Sequence, residues 1–143
     1  MARIKIDIPA QFAFSVSIPV RITDLNYGGH VGNDTVLSLI HEARVQFLQH
    51  HGYKELNIEG IGLIMADAGI EFKSELFYGD IVEASVIATD FSKIGFDLHY
   101  KLEKKSGDKT VIVALAKTGM VCFDYSTKKI AAVPEAVKEK LSV

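Results

Sequence analysis

Two hydrophobic periods divide the chain. Between Asn33 and Gly52 apolar residues recur every three or four positions, and Val36, Leu39, Ile40, Ala43 and Phe47 fall on one helical face. Leu37 and Leu48 widen that face, which predicts a long helix deep in the core. Asn33 or Asp34 is suited to cap its start, Gly52 to end it, and His50 and His51 to lie at its negative end. After Gly60 the period changes to two. Ile70, Phe72 and Leu76 alternate with Glu71, Lys73 and Glu75, and Tyr78-Gly79-Asp80 then turns into the segment DIVEASVIATD. Ile94, Phe96, Leu98, Tyr100 and Leu102 alternate with Gly95, Asp97, His99, Lys101 and Glu103. Ser106-Gly107-Asp108 predicts a hairpin turn into TVIVALAKTGMVCF, which is apolar on both faces and reads as a central strand.

Ahead of the helix, residues 12–22 (FAFSVSIPVRI) read as a first strand, with Pro19 marking an edge or a bulge. Residues 134–141 predict a short terminal helix with Pro134 in its first turn. The order is therefore strand, long helix, then about four antiparallel strands, an α+β arrangement in which the sheet can wrap the helix. No repeat or linker divides the 143 residues, so a single domain over 1–143 is expected.

Composition narrows the function. At 48% hydrophobic residues the chain predicts a packed globule, and a net charge of -2 with scattered Lys and Arg gives no nucleic-acid footprint. The lone cysteine, Cys122, lies in an apolar run and reads as a small buried hydrophobe. With no apolar run of membrane-spanning length and no apolar block in MARIKIDIPAQ, a cytoplasmic location is expected.

The chemistry concentrates before the long helix, in RITDLNYGGHVGND at 21–34. Glycine lets a ligand approach the main chain, and a helix N-terminus offers unpaired N–H groups and a positive dipole end. Gly28, Gly29 and Gly32 could thus surround a developing oxyanion, while Asp24, Asn26, His30 and Asp34 are near enough in sequence to supply a base, a water-orienting amide or a proton carrier. A polar loop with an Asn cap is the plainer reading of the same residues.

The run VRITDLNYGGHVGND followed by HEAR resembles the opening segment of hotdog-fold thioesterases, including the 4-hydroxybenzoyl-CoA and acyl-ACP thioesterase branches. Their pattern is roughly D-x-D-x-x-G-H-V-x-N, then a helix carrying E-x-A-R or E. Asp24, Gly29, His30, Val31, Asn33, Glu42, Ala43 and Arg44 match it, and Tyr78-Gly79-Asp80 is a weaker match. The resemblance implies a hotdog fold, a long central helix wrapped by an antiparallel sheet. It also implies thioester hydrolysis, with Asp24, Asn26 and His30 in the catalytic positions. Gly28, Gly29, Val31, Gly32, Asn33, Asp34 and Glu42 would then bind substrate. Coenzyme A enters only as part of the substrate, and no separate cofactor or metal is implied. The implied partners are an acyl-CoA or acyl-carrier-protein substrate and further copies of the chain, as a dimer or a dimer of dimers joined edge to edge.

One residue departs from that pattern. The resembling branches carry their catalytic aspartate at the position occupied here by Asn26, and an amide cannot take a proton as a carboxylate does. Asp24 and His30 are the first candidates for the base, then Asp34. An acid on the strand after the helix is a further option, from Asp67, Glu71 or Glu75, of which Glu71 and Glu75 also read as solvent-facing strand residues. Glu42 and Arg44 read as a helix-side ion pair or as contacts to substrate or a partner subunit. His30 with Asp34, and His41 with Glu42, lack metal-ligand spacing. The glycines lack the Gly-Lys-Ser/Thr ending of a phosphate loop. Ser92-Lys93 reads as a solvated turn, and His99 as an outward strand residue. The leading expectation is an acyl-CoA thioesterase. A binding module of the same fold that holds acyl thioesters without hydrolysing them is the alternative, and the sequence setting of a hotdog dehydratase is not seen.

Overall fold

In the computed structural model, which describes residues 2–142, the chain forms strand β1 (Phe14–Pro19), a 3-10 turn (Ile22–Asp24) and helix α1 (Asn33–His50). Strands β2 (Gly62–Phe72), β3 (Ile81–Thr89), β4 (Gly95–Ser106), β5 (Lys109–Asp124) and β6 (Lys129–Ile130) follow, then helix α2 (Glu135–Leu141). Met1 and Val143, the ends of the expected domain, lie outside the described residues. Every strand pairing is antiparallel. The sheet order is β1-β3-β4-β5-β2, with β6 added to β5. The central position expected for residues 110–123 is therefore found, because β5 is flanked by β4 and β2. Between β4 and β5 the chain reverses at Gly107-Asp108, with Gly107 at φ 65, a left-handed conformation that favours glycine.

The inner face of the sheet and one stripe of α1 make the core. Val82, Ala84 and Val86 of β3, Leu98, Tyr100 and Leu102 of β4, and Ala116, Met120 and Cys122 of β5 are buried against Leu39, Ile40, Ala43, Phe47 and Leu48. Phe47 makes edge-on contacts with Phe14 at 5.6 Å and His51 at 5.0 Å between ring centroids. The helix ends as the sequence suggests. Gly52, at φ 81, donates to the Gln49 carbonyl at 2.9 Å, and Tyr53 N–H donates to the Leu48 carbonyl at 2.8 Å, a Schellman closure.

Several details depart from the sequence reading. Leu37 is 41% exposed, as is Val45, so α1 buries its expected stripe and Leu48 but leaves another side open. Neither Asn33 nor Asp34 caps the helix; the cap position is Gly32 (φ -71, ψ 158), and Asn33 is the first helical residue. β1 spans fewer residues than 12–22: Val20 N–H still donates to the Asp80 carbonyl at 2.9 Å, and the chain then leaves the sheet for the 3-10 turn. β2 begins at Gly62, well before the alternation from Ile70, and a register shift between Met65 and Asp67 hides its first half from a period-two pattern. Leu76 and Glu75 lie beyond β2, in the connection to β3. Pro134 caps α2 rather than sitting in its first turn.

Arg44 is 5% exposed and does not pair with Glu42. Its Nη1 donates to the Tyr100 hydroxyl at 3.2 Å, and its Nε lies 3.6 Å from Glu55 Oε2. Tyr100 in turn shares a 2.7 Å hydrogen bond with Thr118 Oγ1, and Glu55 meets His41 Nε2 at 2.7 Å. Polar contacts thus join the middle of α1 to β4 and β5.

Candidate active site

The segment ahead of α1 is organised by its own short-range bonds. Asn26 Oδ1 accepts the Gly28 N–H at 2.8 Å and the Asn26 carbonyl accepts the Gly29 N–H at 3.2 Å, so both of these glycine amides are taken up inside the loop. Gly29 sits at φ 83, which a side chain would strain. The loop closes where Asn26 N–H donates to the His30 carbonyl at 2.9 Å. At Gly32 a Cβ would come within 2.6 Å of Asp34 Oδ1, so the exposed Asp34 side chain would have to turn away. Thr35 and Val36 N–H groups bond back to the Gly32 carbonyl at 3.0 and 3.1 Å. Asn33 and Asp34 thus supply the first N–H groups of α1, which have no acceptor within the helix.

Five of the ten expected site residues line two clefts, and Asn26, Gly28, Gly29, Gly32 and Asp34 line neither of them. Asp24 is 5% exposed, and its Oδ2 accepts the Arg21 backbone N–H at 2.8 Å while Oδ1 lies 3.3 Å from the Arg21 guanidinium. Together with Glu42, Ser38 and Gln46 it lines a cleft of about 470 Å³ on the β1 side of the helix. Glu42 itself accepts from Gln46 Nε2 at 2.8 Å. His30, Val31 and Asn33 line a second cleft of about 230 Å³, with Val36, Phe72, Lys73, Ser74, Glu75, Leu76 and Val113. Asn26 holds the turn between the two and is exposed.

In the second cleft His30 Nδ1 lies 3.1 Å from the Val31 carbonyl, an acceptor that holds the proton on Nδ1 and leaves Nε2 as the acceptor of a neutral ring. That Nε2 is 3.9 Å from Glu75 Oε1. Val31 N–H donates to the Leu76 carbonyl at 2.9 Å, tying the His30 loop to the segment that carries Glu75. The two other acids after the helix are engaged elsewhere. Asp67 accepts from Lys117 Nζ and the Gly119 N–H, each at 2.9 Å, and the Lys117 hydrogen bond holds its carboxyl below the ordinary range. Glu71 pairs with Lys73 at 2.7 Å, which likewise lowers its pKa. Among the described residues no cluster of His, Cys, Asp or Glu could hold a metal ion. No helix among them is long and apolar enough to cross a membrane.

Residues 20–141 fit the model of the thioesterase-like superfamily. The chain belongs to that superfamily. The family match takes in every residue that lines the His30 cleft, and all of those lining the Asp24 cleft except Ser17, Ile18 and Pro19. Its sequence is 29% identical over 128 residues to a 1,4-dihydroxy-2-naphthoyl-CoA hydrolase of Microcystis aeruginosa, covering 85% of this chain and 88% of that one. Among solved structures, the 1,4-dihydroxy-2-naphthoyl-CoA thioesterase of Synechocystis superposes with a TM-score of 0.79 at 23% identity, covering 90% of this chain and 94% of that one. A mutant of 4-hydroxybenzoyl CoA thioesterase complexed with 4-hydroxybenzoyl CoA superposes at 0.80 with 15% identity, over 90% and 98% of the two chains. The fold of this superfamily member is the hotdog fold: a long helix packed against an antiparallel sheet.

Glu75 reads in the sequence both as a candidate acid after the helix and as a solvent-facing strand residue; its side chain is exposed, but it lies in the turn beyond β2. Its contact with His30 depends on the turn after Phe72, which period-two alternation does not register. Phe72 and Val113, the apolar walls of the cleft, carried no sequence signal beyond strand propensity.

Proposed function

We propose that the protein is a thioesterase that hydrolyses acyl-CoA, with the reaction placed in the cleft at the N-terminus of α1. The observation that carries this reading is the superfamily match over residues 20–141 together with the cleft that His30 shares with Asn33, the first residue of that helix. The thioester carbonyl oxygen is directed at the Asn33 and Asp34 N–H groups, where the positive end of the helix stabilises the tetrahedral oxyanion. Val31, Val36, Phe72 and Leu76 receive the acyl end. His30 handles the proton. Asn26 and Asp24 shape the approach, Asn26 by holding the Gly28 turn and Asp24 by closing the preceding one on Arg21.

A homodimer or dimer of dimers belongs to the same reading. Among the described residues β5 is the one strand that pairs with β2, which makes β2 an edge strand, and Met65 on it is 47% exposed. Leu37 and Val45 on the open side of α1 add apolar surface. A second copy paired along β2 would cover that edge.

The competing reading is a module that binds acyl thioesters without cleaving them. Asn26 at the position of the expected carboxylate supports it, as does the engagement of Asp24 with Arg21. Release of the coenzyme A thiol, measured over aromatic and straight-chain acyl-CoA substrates, separates the two. Enzyme-dependent thiol release is expected for at least one substrate. Binding without release on every one of them would establish the module instead.

A further inference from the structure

We infer that Glu75 is a catalytic residue of this site: with His30 it holds the hydrolytic water, and it supplies the negative charge that Asn26 does not. The inference rests on the thioesterase reading above and adds to His30 the carboxylate that the reading lacks. Glu75 is the one carboxylate among the described residues that line the His30 cleft. Asp24 lines the other cleft and is committed to Arg21. Asp67 and Glu71 are each held by a lysine.

The distance suits the role. At 3.9 Å, His30 Nε2 and Glu75 Oε1 are too far apart for a direct hydrogen bond, yet a single water can reach both. His30 presents Nε2 as an acceptor because Nδ1 faces the Val31 carbonyl at 3.1 Å. Two acceptors on one water favour loss of its proton to one of them as attack begins.

The backbone around Glu75 is fixed. The Ser74 N–H donates to the Val113 carbonyl at 3.2 Å, and Ser74 Oγ donates to the Ile112 carbonyl at 2.6 Å. The Leu76 carbonyl accepts Val31 N–H at 2.9 Å, and the Glu75 carbonyl accepts Lys104 Nζ at 2.6 Å. The Glu75 side chain itself is 63% exposed, so water reaches it from the mouth of the cleft. The pinned main chain holds the Glu75 carboxylate at the rim of the cleft, 3.9 Å from His30 Nε2.

In the step so described, the water oxygen bonds to the thioester carbonyl carbon while one water proton passes to Glu75 or His30. The carbonyl π pair becomes the oxyanion. Its collapse breaks the C–S bond, and the departing thiolate takes the transferred proton. The products are the free acid and the coenzyme A thiol, with no oxidant or further reactant required.

The test compares wild type, Glu75→Gln, His30→Ala, the double variant and Glu71→Gln on the acyl-CoA that the wild type cleaves fastest. Glu75→Gln is expected to lower kcat by about 10²-fold or more with KM little changed, and to flatten the acid limb of the kcat/KM pH profile. The double variant should lose little beyond the worse single variant, because the two groups act on one water. Glu71→Gln should match wild type. An unchanged melting temperature for Glu75→Gln would exclude a folding defect, and Glu75→Asp with partial activity would tie the effect to the carboxylate. If wild type is active and Glu75→Gln retains its kcat and pH profile, the role of Glu75 is overturned and the thioesterase reading stands. If wild type cleaves no acyl-CoA, both fall together.

Discussion

Arg44 Nη1 donates to the Tyr100 hydroxyl at 3.2 Å, linking a charged residue of the central helix to the middle of the sheet. Burial raises the Tyr100 phenol above its ordinary pKa, so it stays protonated and free to bond Thr118 as well. Arg44→Met removes the charge, the Tyr100 bond and the Glu55 partner together. The variant should lose about 1.5–3 kcal/mol of stability by denaturant titration. A variant as stable as wild type would mean that the methionine packs as well as the network it replaces.

Phe47 is 3% exposed and touches Phe14 on β1 and His51 at the helix end. Phe47→Ala should cost about 3–5 kcal/mol, through lost transfer energy and the cavity left behind. A measured loss under about 1 kcal/mol would contradict the burial of this face.

What the sequence revealed depended on how local each feature was. The α1 stripe from Val36 to Phe47 and the β4 alternation from Phe96 to Leu102 are set by spacing alone, and both were legible. The first half of β2 was not, because the shift between Met65 and Asp67 breaks the alternation. Buried Arg44 was equally hidden, since its partners Tyr100 and Thr118 come from distant strands. In the site, the glycine-rich loop at 28–32 was visible in composition. The separation of Asp24 and His30 into different clefts was not, because it depends on which side of α1 each neighbour packs.

Cys122 is fully buried, and burial pushes its thiol up to about 11. Near neutral pH it is neither exposed nor ionised, so it should not react with a thiol reagent in the folded protein. Labelling should appear only on unfolding. Stoichiometric labelling of native protein, judged by mass spectrometry, would contradict this placement.

His51 has a lowered pKa, first through burial, then through the charges of His50 and Lys140. The unfolded chain therefore binds a proton more readily than the folded one just below the ordinary value of 6.5. Stability contributed by the neutral ring is present above that value and is lost as pH falls below it. Thermal unfolding should show a decline from about pH 7 to pH 5.5 that is reduced in His51→Gln. A slope that His51→Gln leaves unaltered would assign the decline to other groups.

Steady-state turnover of His30→Ala on a cleaved acyl-CoA tests most directly the proposal that thioester hydrolysis takes place in the cleft shared by His30 and the first turn of α1. Loss of kcat by about 10²–10⁴-fold, in a variant that melts like wild type, is the result expected if His30 carries the proton. Turnover within about twofold of wild type on every substrate that the protein hydrolyses would contradict it and place the chemistry elsewhere.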